Sequence, residues 1–166
     1  MRIPKTEYRD GQLVGFQFDE STEVNAVKFL QEIPGYDPFE QAEGYYFDID
    51  EWNKVIAFIL NECIYPEGSL TGKPFIPERW QSCIYANLFC WKSEKTNLRR
   101  FRECFIYVPR KNGKTTAFGA IITLIMFFTD KEQRSQNFCC AADTDQALVN
   151  FRHCQYILEN NPRMLS

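Results

Sequence analysis

Gly113, Lys114 and Thr115 are the residues whose types and order could do chemistry. An apolar run, Cys104-Phe105-Ile106-Tyr107-Val108, precedes them and an apolar run from Ala117 to Phe128 follows. A loop of successive backbone N–H groups closing on a helix start cradles an anion, above all a phosphate. A glycine at position 113 lets the backbone pass close to such a ligand, where a Cβ would clash. Lys114 is then placed for the β- and γ-phosphates of a nucleotide, Thr115 to put its hydroxyl on Mg²⁺, and Thr116 to begin the helix. The pattern G-x-x-x-x-G-K-[ST] is matched at its last three positions, but Val108 stands where the first glycine belongs. Gly-Lys-Thr alone is a weak signal, and the competing reading is a basic turn that binds nothing.

The elements around the loop must supply a strand before it and a helix after it. Phe101–Val108 is dense in β-formers and reads as a strand buried on both faces. Thr115–Phe128 reads as a helix, Thr129–Gln136 as a polar connection and Asn137–Ala142 as a second buried strand. Asp143, with Gln146 three residues on, has capping-box spacing. The helix behind it carries Ala147, Leu148, Phe151, Cys154 or Gln155, and Leu158, and Asn160-Asn161-Pro162 stops it. The expected fold class is α/β: a β-loop-α-β-α order that opens a parallel sheet of the P-loop kind and leaves it incomplete.

Upstream the chain reads as an extended leader over residues 1–20 and a mainly helical region over residues 21–98, ahead of the P-loop core at 99–166. Leu13–Phe18 is a short strand. Val24, Val27, Leu30 and Ile33 have helical spacing, ended by Pro34-Gly35. Tyr45-Tyr46-Phe47 is a strand or an aromatic plug. Trp52, Val55, Ile56, Ile59, Leu60 and Cys63 form one continuous helical stripe, capped by Asp48 or Asp50. Tyr65–Pro77 is a loop, and Pro77 opens a helix from Glu78 to about Lys92 with Trp80, Ile84, Leu88 and Trp91 on one face.

The 166 residues, 45% hydrophobic and 25% charged, suit one domain with a packed core. A net charge of −3 excludes a whole-chain basic field for nucleic acid. Arg99-Arg100-Phe101-Arg102 reads as a solvated strand entrance. Seven cysteines, a lone histidine at 153 and no Cys-x-x-Cys pair make a zinc cluster a poor reading. Cysteines in apolar runs behave as small hydrophobes and point to a reducing compartment. The run from Ala117 to Phe128 is too short for a bilayer, which needs ~20 residues, so no membrane role is expected.

The stretch from Arg99 to Thr116 resembles the ATPase motif of phage terminase large subunits, the DNA-packaging motors of tailed bacteriophages. Their phosphate loop lacks the first glycine and carries a basic residue three positions before the Gly-Lys pair, the place of Arg110 here. Gly72–Gln81 is similar to the family's segment ending in Trp-Gln. Leu88-Phe89-Cys90-Trp91 is similar to its Phe-Gly-Trp, with Cys90 where glycine is usual. Cys140–Ala147 is similar to its Ala-Ala-x-x-x-x-Gln-Ala. Together these cover about residues 22–166.

The resemblance implies roles. Gln81 would contact the adenine base of ATP, and Arg110 would approach the γ-phosphate and stabilise transition-state charge. Lys111 and Asn112 would shape the loop and lend backbone N–H groups beside Gly113, Lys114, Thr115 and Thr116, with Thr115 on Mg²⁺. The implied partners are double-stranded DNA, a terminase small subunit and a portal protein. A homo-oligomeric ring and the host cytoplasm are implied likewise. The family's acidic pair for water activation and its nuclease domain have no counterpart in these residues. The chain is thus expected to be a piece of a larger ATPase, inactive alone. A helicase-like translocase and an assembly module with a vestigial loop stay open as alternatives.

Overall fold

The computed structural model describes residues 4–9, 12–18, 29–129 and 136–164. They divide into two compact units: Met1–Ile56 with Glu78–Cys104, and Ala57–Pro77 with Phe105–Ser166. The secondary structure is a mixture of helices and short strands.

In the first unit, β1 (Pro4–Arg9) and β2 (Gln12–Phe18) form an antiparallel pair whose register shifts between Glu7 and Tyr8. β2 contains the expected strand. The helix expected over Val24–Ile33 lies mostly outside the described residues, but Phe29 and Leu30 are helical and buried. β3 (Tyr45–Phe47) pairs antiparallel with β4 (Trp91–Ser93). Helix α1 (Ile49–Glu62) opens on Asp48, whose Oδ1 accepts from the Glu51 N–H at 2.9 Å. Its stripe is buried as read: Trp52, Val55, Ile56 and Ile59 lie inside.

Helix α2 (Arg79–Cys90) departs from the reading. Of the expected face, Trp91 is buried but Trp80, Ile84 and Leu88 are only half-buried, while Cys83, Tyr85, Ala86, Asn87, Phe89 and Cys90 are buried. A helix of small and aromatic residues offers two plausible stripes, and hydrogen bonds decide between them. Asn87 Nδ2 donates to the Leu30 carbonyl at 3.0 Å and Asn87 Oδ1 accepts from Trp91 Nε1 at 3.0 Å, so a polar residue sits satisfied in the core. Arg100 also departs from the solvated reading. Its guanidinium donates to the Pro38 and Glu40 carbonyls and lies over the Tyr45, Trp91 and Phe101 rings.

In the second unit, the end of α1 meets a loop closed by the Tyr65–Lys73 backbone bond and by a bridge between Ile64 and Pro74. Thr115–Ala120 is a π-turn that runs into helix α3 (Ile121–Thr129). Helix α4 (Thr144–Glu159) starts at Asp143, whose carboxylate accepts from the Gln146 N–H at 2.8 Å. Ala120, Leu124, Cys154 and Ile157 form a core joined by Phe58, Ile64, Leu158 and Met164. Asn161 ties the end of α4 to the Glu62 carbonyl at 3.0 Å. No helix among the described residues is long and apolar enough to cross a membrane.

The two buried strands expected at 101–108 and 137–142 are corrected. Neither segment pairs with another among the described residues, and both sheets there are two-stranded and antiparallel. Phe105 is 92% exposed, Tyr107 89% and Phe138 79%. Ile106 and Val108 are half-covered, as are Asn137 and Cys139. Burial therefore alternates with a period of two, one face covered and one open. A parallel strand draws its hydrogen bonds wholly from its neighbours, so β-forming composition does not make one without them.

One ion cluster contributes to the pH response of the first unit. Lys92 Nζ lies 2.9 Å from Asp48 and 3.0 Å from Glu51. Burial pushes the Asp48 carboxyl up, but the Glu51 N–H and Lys92 outweigh it and hold it below its ordinary value. Burial pushes Lys92 down, but the two carboxylates outweigh it and raise it. The Asp48 contribution is thus present above the ordinary aspartate range and lost as pH falls through the lowered folded value. The Lys92 contribution is present below the ordinary lysine value and lost as pH rises through the raised one. Urea unfolding against pH should show the acid loss shrink in Asp48→Asn; an acid limb of unchanged slope would refute this assignment.

Candidate functional site

Residues 109–115 make a tight, open turn that leads into the π-turn. Asn112 Nδ2 donates to the Pro109 carbonyl at 3.2 Å and draws the loop closed. Lys111 has φ 70° and Gly113 φ 63°. A lysine in the left-handed region is strained, and such strain gathers where a loop binds something. Lys114 then has right-handed dihedrals, φ −58° and ψ −36°. A left-handed residue followed by a right-handed one turns successive N–H groups to one side, the form of an anion nest.

The helix start behind this loop has no side-chain cap at Lys114. The first N–H groups of a helix have no partner within it and carry part of the helix dipole's positive end. The Ala117 N–H is satisfied by the Gly113 carbonyl at 2.8 Å, which marks where the internal ladder begins. Arg110, Lys111, Asn112, Gly113 and Lys114 are exposed, and Thr115 is half-buried. A Cβ added at Gly113 would meet nothing within 4 Å, so the space beside its Cα is open.

The expected site residues from Arg110 to Thr115 are therefore contiguous on one exposed turn. Thr116 is not on it. Its side chain is buried, and its hydroxyl lies 3.3 Å from His153 Nδ1. Gln81 belongs to the first unit, in the first turn of α2. It is buried, and its Oε1 accepts from the Glu78 N–H at 2.9 Å.

What the sequence reading missed in the support on α4 is Asn150, His153 and Ile157. Of the residues read as its inner face, Cys154 is buried and Leu158 half-buried against the core, but Phe151 is 57% exposed; Asn150, His153 and Ile157 complete the covered stripe. Positions 150, 153, 154 and 157 have helical spacing, but two of them are polar and an apolar pattern passes over them. All four lie in the second unit with the loop. His153 meets Thr116, and Cys154 Sγ lies 3.7 Å from the Ala120 carbonyl. Burial pushes the Cys154 thiol up to about 11, so it packs as a small apolar group rather than a nucleophile.

Asn150 meets Gly119. A Cβ at Gly119 would fall 2.2 Å from Asn150 Oδ1, inside any allowed contact. Asn150 is also held by Cys139, with Nδ2 to Sγ at 3.0 Å. Gly119→Ala should therefore lower stability by about 1–2 kcal/mol through overpacking. With Asn150→Ala in place, the same change should become neutral or stabilising by up to about 1 kcal/mol, the helix preference of alanine over glycine. Thermal unfolding of the four proteins checks this; equal effects of Gly119→Ala in both backgrounds would refute the contact.

The comparisons with known proteins agree with one another. Residues 79–165 match the family described as terminase large subunit, ATPase domain, more than half of the chain. The terminase large subunit of Enterobacteria phage HK97 is 27% identical over 111 residues, or 67% of this chain. The aligned part is 21% of that relative's own length, so the chain spans a minor part of it. No solved structure matches the chain significantly. The matched stretch contains the open turn and the helix start behind it, and the chain belongs to the terminase large subunit ATPase domain family.

Proposed function

We propose that residues 110–115 hold the phosphates of ATP with Mg²⁺, and that the chain is the nucleotide-holding part of a motor that packages double-stranded DNA into a phage capsid. The uncapped helix start behind two left-handed residues, inside the family-matched stretch, carries this reading. The order of extended segment, loop, helix, extended segment and helix is that of a phosphate-loop fold. Family membership supports the packaging role, with a portal protein, a small subunit and a ring of copies as the partners of the whole protein.

The residues fit the group. Open space at Gly113 admits phosphate oxygens against the backbone. Lys114 is exposed beside it as a point charge for the β- and γ-phosphates. The Thr115 hydroxyl, in the first turn, is placed for the metal. Mg²⁺ neutralises the charge that collects on the phosphate oxygens. Arg110, on the rim, would move toward the γ-phosphate and steady charge there. Gln81 would read the adenine edge through its amide, and its use as a helix cap already fixes that amide's orientation.

Titration of the full chain with a fluorescent ATP analogue and Mg²⁺ tests the proposal. Lys114→Ala should weaken binding by about tenfold or more, the loss of one charge-assisted contact. Equal affinity of Lys114→Ala and the wild type would overturn it. Gln81→Glu keeps the capping oxygen but removes the amide donor. In protein shown by thermal unfolding to be folded, it should erase a preference for ATP over GTP; a retained preference would remove Gln81 from the site.

A further inference from the structure

His153 is the lone histidine of the chain and is almost fully buried. Each ring nitrogen has a polar neighbour in the same unit. Nδ1 lies 3.3 Å from the Thr116 hydroxyl, and Nε2 lies 3.5 Å from Glu67 Oε2. Glu67 stands in the loop before the short helical turn Gly68–Leu70 and is largely exposed. A carboxylate facing Nε2 favours the tautomer that carries its proton there. Nδ1 is then the acceptor and the Thr116 hydroxyl the donor.

The location gives this contact its meaning. Thr116 follows the metal-placed Thr115 directly and lies within the π-turn. Its carbonyl accepts the Ile121 N–H in the wide π pattern, while its side chain leaves the helix for His153. A π-turn has poorer internal geometry than an α-turn and persists where surrounding packing holds it, often at functional sites. Here α4 supplies that packing through His153, and again through Asn150 against Gly119. Residues Lys114 to Thr116 present the N–H groups of the helix start, so the rotation of this turn sets where those groups aim.

We propose that His153 is a positioning residue for the nucleotide cradle: through Thr116 it holds the first turn of the loop helix in the orientation that aims its N–H groups and the Thr115 hydroxyl at phosphate and metal. It touches no ligand itself. The inference rests on the phosphate-binding reading of the loop and adds to it a residue 39 positions downstream of Lys114 whose hydrogen bond decides affinity.

The test uses the full chain, a fluorescent ATP analogue with Mg²⁺, and thermal unfolding without nucleotide. Thr116→Val keeps shape and removes the hydroxyl. It should weaken nucleotide binding by about tenfold, the worth of a buried hydrogen bond that aims a charged contact. His153→Ala should do the same, and the double variant should lose little more than either single one, because both cut one interaction. His153→Asn restores a polar atom near the place of Nδ1 and should bind within about threefold of the wild type, by less than one lost hydrogen bond.

A residue that only fills space would be rescued by volume rather than polarity. His153→Leu is therefore made beside His153→Asn and should bind as weakly as His153→Ala. If His153→Ala does not fold, Thr116→Val with the Asn and Leu variants still decides. Wild-type affinity in Thr116→Val, or equal affinity of the Asn and Leu variants, overturns the role of His153 while Lys114→Ala still abolishes binding. A wild-type chain that binds no analogue overturns the cradle and this inference together.

Discussion

In the second unit the loop helix starts without a side-chain cap at Lys114, and its first turn still has to be held in place. The first N–H groups of a helix have no partner within it, so its own hydrogen bonds give the first turn little order. The chain meets that demand from outside the turn. α4 lies along the π-turn with Asn150, His153 and Cys154, and the turn answers with Gly119, Thr116 and Ala120. The small residue at 119 is a requirement of that approach, since Asn150 occupies the space a side chain would take.

The same logic explains the polar residues inside this unit and its neighbour. Asn87, His153 and Asn161 are all buried, and each is bonded to a segment distant in sequence. Burying an unpaired polar group is costly, so such residues fix one arrangement where an apolar contact would tolerate several. The cysteines take the opposite part. All seven are free thiols, and burial raises those at 63, 83, 90 and 154 above their ordinary values. They fill small spaces without demanding a partner.

Phe105, Tyr107 and Phe138 mark where local preference and environment part company. Their β-forming types, with Ile106 and Val108, have the density of an interior strand. In the structure the two segments keep one covered face and leave these rings open to solvent. Strand propensity expresses packing on a pleated surface more than any intrinsic backbone choice. Without a paired neighbour among the described residues, the preference produces an extended segment and no ladder.

The sequence by itself determined the loop, because Gly113-Lys114-Thr115 is a local pattern whose dihedral demands a glycine meets within a few bonds. It also determined α1, whose stripe from Trp52 to Cys63 is long and unbroken, and the cap of α4 at Asp143, an interaction three residues in reach. Tertiary structure alone decided that Asn87 lies on the inner side of α2 and Asn150 and His153 on that of α4, that Arg100 forks between Pro38 and Glu40 over three rings, and that Thr116 turns away from the loop toward His153. Those choices rest on partners tens of residues away, and apolar periodicity passes over a stripe whose members are asparagine and histidine. A loop is written in neighbouring residues, but the support that holds it is written in pairs that only folding brings together.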